Sequence, residues 1–293
     1  MPHMSADAFT LILFSALMHA LWNLMVKRSR DKTVFIWWMF VVSGSLLNIV
    51  VWTRPEPWPV PTPTVLLLVL GGAICFVLYH LFNGRAYQTG DLSLAYPLSQ
   101  TSMLYVPIWG MLLFGERLSL LGIAGILLVL FGTYSIQMQR LSLNELTRPL
   151  RSLGNPSVRA ALMAGFIYSI GSVLDKQGVM LYPPLYFTHL LVIAMFVIMT
   201  LNLMRPSCRG RIMAEWRQSR RLILLVGPVM LGSFVAFRYG LQMAPVSYAV
   251  PVRQASLLIA VALGVLFLGE ACGRIRFMAS SLILVGVFMV RFG

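Results

Sequence analysis

The sequence predicts an all-α integral membrane protein: ten transmembrane helices forming two inverted five-helix repeats. Three observations predict it. Of 293 residues, 58% are apolar and 11% charged, with a mean hydropathy of +0.81, outside the range of soluble domains. Ten apolar stretches have about the 20 residues that cross a bilayer: roughly 8–27, 34–52, 64–84, 92–114, 119–138, 157–178, 184–204, 221–239, 246–268 and 275–292. Finally, one stretch occurs twice: Ala95–Glu116 reads AYPLSQTSMLYVPIWGMLLFGE, and Ala249–Glu270 reads AVPVRQASLLIAVALGVLFLGE. A single offset aligns Pro97 with Pro251, Gln100 with Gln254, Ser102 with Ser256, Gly110 with Gly264, Gly115 with Gly269 and Glu116 with Glu270. It also aligns Ser93 with Ser247 and Gly132 with Gly286. Chance does not keep so many identities in register.

The first span sets His19, Trp22, Asn23 and Lys27 on one helical face. The second is bordered by Trp37 and Trp38 at one end and Trp52 at the other, as interfacial anchors are. Five prolines from Pro55 to Pro63 make the next connection a stiff, extended loop. The third span carries Tyr79, His80 and Asn83 near its end; the fourth is the first repeat copy. Gly122, Gly125 and Gly132 of the fifth suit close helix packing. A polar linker, 139–156, divides a first repeat, 1–138, from a second, 157–293. In the sixth span Tyr168 answers His19, Ser172 answers Asn23 and Lys176 answers Lys27 in polar character. Asp175 lies beside them. The seventh span opens on Pro183 and Pro184; a basic loop of about 16 residues then leads to the eighth, which ends in Arg238 and Tyr239. The ninth is the second repeat copy and holds Arg253; the tenth closes the chain. Five crossings per half is an odd number, so the second half enters the bilayer upside down. Such inverted repeats favour a midplane site open alternately to each face.

The net charge of +14 does not indicate nucleic-acid binding, because most of the 23 Lys and Arg fall on one side. They follow spans 1, 3, 5, 7 and 9, from Lys27–Lys32 to Arg274 and Arg276. This is the positive-inside bias, and it puts those connections in the cytoplasm, touching anionic lipid, and both termini outside. The N-terminal segment has Asp7 and no Lys or Arg, unlike the basic start of a signal peptide. Cys75, Cys208 and Cys272 form no CxxC pair, metal spacing or disulfide framework.

With two five-span repeats, a Pro- and Gln-bearing fourth span ending FGE or LGE in each, and the first span LMHALWNLMVK, the chain resembles the drug/metabolite transporter superfamily, EamA type. The resemblance covers essentially the whole chain. It departs in two respects. Many relatives carry their basic residues after the second span, and here the second Gly-Glu continues as ACGRIR. The resemblance implies that spans 1, 3, 4, 6, 8 and 9 line a central cavity while 5 and 10 stand behind. The polar residues agree. His19, Trp22, Asn23, Tyr79, His80, Asn83, Gln100, Tyr168, Ser172, Arg253 and Gln254 all fall on those six spans as candidate substrate contacts, with Asp175 as a proton-coupling candidate.

Arg253 stands out. It lies seven residues inside its span, about 10 Å deep at 1.5 Å per residue. Burying a charge there costs at least about 2.5–3.5 kcal/mol, so it must face water or a partner. Three readings follow: an anion site for a carboxylate or phosphonate gripped by the guanidinium, a structural pair with Asp175, or a side chain that snorkels to the interface. Asp175 is otherwise an interfacial charge near a helix end. His19 and His80 are proton relays or interhelical hydrogen-bonding groups. Gln100 and Gln254 each follow a proline by three residues and mark hinges or packed kinks. Glu116 and Glu270, just past a helix-ending glycine, read as caps on the next helix.

No nucleophile elbow, HExxH or P-loop is present, which leaves a polytopic membrane enzyme or a non-transporting scaffold as weaker alternatives. The expected function is a secondary carrier of a small organic metabolite, anionic or zwitterionic, in the cell's inner (plasma) membrane. Its partners are that small molecule, the lipid bilayer and a coupling proton or ion. It needs no cofactor or metal, and acts as a monomer or homodimer.

Overall fold

The computed structural model describes residues 4–89, 98–136, 138, 142, 144, 147, 151–204, 206–268 and 273–293. Their regular structure is entirely helical. In chain order the helices are α1 (Ala6–Arg28), α2 (Lys32–Trp52), α3 (Pro63–Thr89), α4 (Ser102–Phe114), α5 (Leu120–Ser135) and α6 (Pro156–Leu181). Then come α7 (Pro184–Leu203), α8 (Pro206–Met243), α9 (Val246–Arg253), α10 (Ala255–Leu268) and α11 (Arg274–Phe292). Helix is what lipid permits, since hydrocarbon offers an open backbone N–H no partner. Eight spans are long and apolar enough to cross, with α9 and α10 forming one of them, and the shorter apolar α4 and α5 bring the crossings to ten.

Helix starts follow local chemistry. Ser5 Oγ accepts from Ala8 N at 3.1 Å, Asp31 Oδ1 from Val34 N at 3.2 Å, and Ser119 Oγ from Gly122 N at 2.9 Å. Pro63, Pro156 and Pro184 open α3, α6 and α7, where a missing N–H costs nothing. The proline-rich connection is non-helical, as expected, and Tyr182 donates its hydroxyl hydrogen to Pro59 O.

Two expectations change. The basic stretch after α7 is helix rather than loop, because α8 runs unbroken from Pro206 for 38 residues. At about 57 Å it is far longer than the roughly 30 Å of hydrocarbon. Its first turns lie against the α1–α2 connection. There Trp216 stacks on Trp38 at 4.7 Å, Arg211 pairs with Asp31 at 2.6 Å, and Glu215 Oε2 accepts from Asp31 N at 2.9 Å. The ninth span is also not continuous: it breaks at Gln254 between α9 and α10. Of the first repeat copy, Ser93 and Ala95–Pro97 lie outside the described residues, as do Gly269 and Glu270 of the second and much of the 139–156 linker.

The helices pack as a two-fold. α1 lies on α8 as α3 lies on α6, and α4 meets α6 as α9 and α10 meet α1. The pairs α2–α7 and α5–α11 are each their own counterpart. In the last pair glycines let the backbones touch: a Cβ at Gly125 would stand 2.7 Å from Gly286 O, and one at Gly286 would stand 2.7 Å from Gly125 O. No flexible side chain can yield there. Gly125→Val is expected to lower the unfolding temperature in detergent, because overpacking costs about 1–3 kcal/mol. An unchanged unfolding temperature would show that the pair is not in close contact.

Candidate functional site

One cavity of about 260 Å³ occupies the space between the halves. Its lining comes from α1, α3, α6, α8, α9, α10 and the turns at Gln100 and Gln254, with additions from the start of α2 and from Met195 of α7. α5 and α11 contribute nothing to it, since they pack on each other behind. At one end lie the exposed Lys32 and Thr33, on the face that carries the basic connections; at the other lie Asp175 and Arg238.

The repeat explains its centre. Both copies of the repeated span leave the regular α-helix at the glutamine. Thr101 N donates to Leu98 O at 3.3 Å and Met103 N to Gln100 O at 3.3 Å; in the other copy Gln254 N donates to Pro251 O at 3.0 Å and Leu257 N to Gln254 O at 2.9 Å. These are i to i+3 bonds where a helix would make i to i+4 bonds. In the second copy Pro251, which has no N–H to give, lies three residues ahead of the break. Gln254 Nε2 then donates to Gln100 Oε1 at 3.0 Å. Two residues related by the repeat therefore touch, so the pseudo-two-fold axis passes between them and α4 and α10 both start beside it. Discontinuous helices meeting beside the axis expose backbone ends to whatever occupies the cavity.

Arg253 ends α9 at this point. Its Nη1 donates to Tyr168 Oη at 3.2 Å and its Nη2 to His19 Nδ1 at 3.2 Å; Cζ lies 4.2 Å from the Phe237 ring centroid. Tyr168 and His19 are themselves repeat counterparts, so the arginine spans the axis. Guanidinium can only donate, so His19 Nδ1 accepts, and the ring is the neutral tautomer with its proton on Nε2. The Arg253 Nε is buried without a hydrogen-bond partner among the described residues. The structural pair with Asp175 is not made, because Asp175 Oδ1 accepts from Arg238 Nε at 2.9 Å, with both side chains under 5% exposed. Asp175 is therefore a buried ion-pair member rather than an interfacial charge. Its neighbour Lys176 donates to Leu241 O at 2.8 Å and Ala244 O at 2.9 Å, satisfying the C-terminal carbonyls of α8.

Of the predicted contacts, His19, Trp22, Asn23, Tyr79, His80, Asn83, Gln100, Tyr168, Arg253 and Gln254 line this cavity, as does Asp175. Ser172 does not. Its buried hydroxyl turns back to donate to Tyr168 O at 2.9 Å. Trp22 Nε1 and Asn83 Oδ1 are buried with no hydrogen-bond partner among the described residues. Such groups cost about 1–3 kcal/mol each when unsatisfied, so the lining offers an unmet donor and an unmet acceptor. Aromatic rings fill the remainder: Tyr79 packs on Tyr168 in a tilted pair at 4.9 Å, and His19 meets Trp22 edge-on at 4.8 Å.

Glu116 caps a helix, but not the next one. Its carboxylate accepts from Val246 N at 2.7 Å, Ser247 N at 3.0 Å and Ser247 Oγ, so it closes the start of α9 in the other half. The matching Glu270 lies outside the described residues. Sequence reasoning missed Arg238 as the partner of Asp175. The available signal was depth: Asp175 stands six residues before the end of α6 and Arg238 five before the end of α8, at the same face.

Among curated proteins none matches the chain by sequence. The EamA-like transporter family matches it twice, over residues 8–138 and 156–292. A solved crystal structure, 20% identical, superposes with a TM-score of 0.74 over 97% of this chain and 96% of that one, which shows a shared fold.

Proposed function

The chain belongs to the EamA-like transporter family of the drug/metabolite transporter superfamily, whose members are multi-pass membrane transporters and not enzymes, and from that premise we propose that it is a secondary carrier of a small organic anion or zwitterion: an organic acid, an amino acid or a phosphonate-like metabolite. The observation that carries this reading is Arg253. It is a guanidinium inside a cavity at the two-fold axis, hydrogen-bonded among the described residues to a tyrosine and a neutral histidine. An arginine held for packing would have taken the available acid, but Asp175 is bound to Arg238. Both donor arms of Arg253 and the indole N–H of Trp22 suit a carboxylate or phosphonate, and Asn83 Oδ1 suits a hydroxyl hydrogen.

The mechanism is alternating access. The cavity extends toward the basic face, which the positive-inside bias favours as the cytoplasmic one, and the membrane of this reading is the cell's inner membrane. Toward the other face α6 and α8 are held together by Asp175–Arg238, by Lys176, and by Gln242 Nε2 donating to Val179 O at 2.9 Å. Rocking of the halves about Gln100 and Gln254 opens that side and closes the α1–α3 side. Asp175 is the acid through which a proton would couple.

A thermal-shift screen of the purified protein against amino acids, organic acids and phosphonates identifies the substrate. Counterflow of the labelled compound in proteoliposomes then tests the mechanism. A carrier is expected to take up label several-fold faster against unlabelled substrate inside, and a rate indifferent to the inside contents would contradict it.

A further inference from the structure

The buried charges of the site can be counted, and the count points to the charge of the substrate. On the closed side Arg238 is matched by Asp175 at 2.9 Å. Lys176 lies within electrostatic reach of Glu116, and both are tied into helix ends. His19 is neutral because its Nδ1 accepts from Arg253. Lys32, at the mouth, is exposed, so water screens it. Arg253 remains. Among the described residues no carboxylate lies within ion-pair distance of it, although Asp175 is near enough to feel its charge.

We propose that the cavity is a charge filter for substrates bearing one anionic group and no ammonium, so that the loaded carrier rocks with its buried charges balanced. This rests on Arg253 being the anchor. A second anionic group would need a second free cation, and Arg238 is already held by Asp175. An ammonium would need a free carboxylate, and among the described residues the one acid of the lining is the same Asp175. The polar positions left open, Trp22 Nε1 and Asn83 Oδ1, are uncharged and suit neutral groups such as a hydroxyl. The ion pair thus does more than close one side: it removes both of its charges from recognition and leaves a net of one.

The test uses the full-length protein in detergent at pH 8, where an ordinary imidazole is neutral, so that His80 adds nothing. Unfolding temperature is titrated with two size-matched series: lactate, lactamide, alanine and malonate, then phenylacetate, phenylacetamide, phenylglycine and phenylmalonate. The monoanion of at least one series should stabilise saturably, with an apparent affinity at least tenfold above its neutral, zwitterionic and dianionic partners. Equal binding of any partner, or no binding by either monoanion, overturns the filter. Arg253→Gln separates the two claims. If it leaves monoanion binding unchanged, the anchor fails; if it abolishes binding of a preferred dianion or zwitterion, the anchor stands and the filter alone falls. Folded Asp175→Asn, which frees Arg238, should move the preference toward malonate or phenylmalonate. An unchanged preference would show that charge balance does not set it.

Discussion

Replacing Arg253 with Ala is expected to abolish measurable transport while the protein still inserts and purifies normally. The guanidinium faces the cavity with two donor arms on Tyr168 and His19, and an anion bound there loses its one fixed counter-charge on truncation. Removing one member of a buried, hydrogen-bonded charge pair costs about 2–5 kcal/mol, and each 1.4 kcal/mol is tenfold, so affinity should fall at least about 30-fold. Arg253→Lys keeps the charge but not the planar fork, and should lose about tenfold. Uptake in proteoliposomes of both variants, normalised to inserted protein, is the measurement. Wild-type rates in both would remove Arg253 from the site.

Truncating Asp175 is expected to have the largest effect on stability. It strips Arg238, 3% exposed, of its carboxylate and leaves a charge buried beside the Phe234 ring. Breaking a buried pair in this way costs about 3–5 kcal/mol, whereas replacing both members by apolar groups of similar size is close to neutral. Asp175→Ala should therefore unfold at markedly lower temperature, and Asp175→Leu with Arg238→Met should recover most of the loss. If the single and double variants fall equally, the ion pair is not what holds α6 to α8 on this side.

How far the sequence disclosed this molecule differs from residue to residue, for physical reasons. The repeat identities are local strings, so the two-fold arrangement and the depth of Arg253 within its span could be read from the sequence, whereas the break of the ninth span at Gln254 and the absence of an Arg253–Asp175 pair could not. Partner choice across the bundle could not. Asp175 had two arginines within reach in principle, and helix rotation decides for Arg238. Glu116 follows the rule that a carboxylate caps a helix start, but the helix is α9 of the opposite half, more than a hundred positions along the chain. The basic stretch at the head of α8 read as loop because its arginines depress hydropathy. One face of it nevertheless carries Ile212 and Trp216, which pack on α2. Ser172 shared its helical face with cavity residues, and a hydroxyl that can satisfy itself on its own helix has no need of the cavity.

The central claim is that a site on the two-fold axis is reached from each face in turn. Gln100 sits on that axis, so a cysteine there is equally deep from both sides. The measurement is labelling of Gln100→Cys, with Cys75, Cys208 and Cys272 replaced by Ser, using a membrane-impermeant maleimide added to one face of oriented proteoliposomes at a time. Alternating access predicts labelling from either face, slowed from both by bound substrate. Labelling from one face alone, however long the exposure, would contradict it.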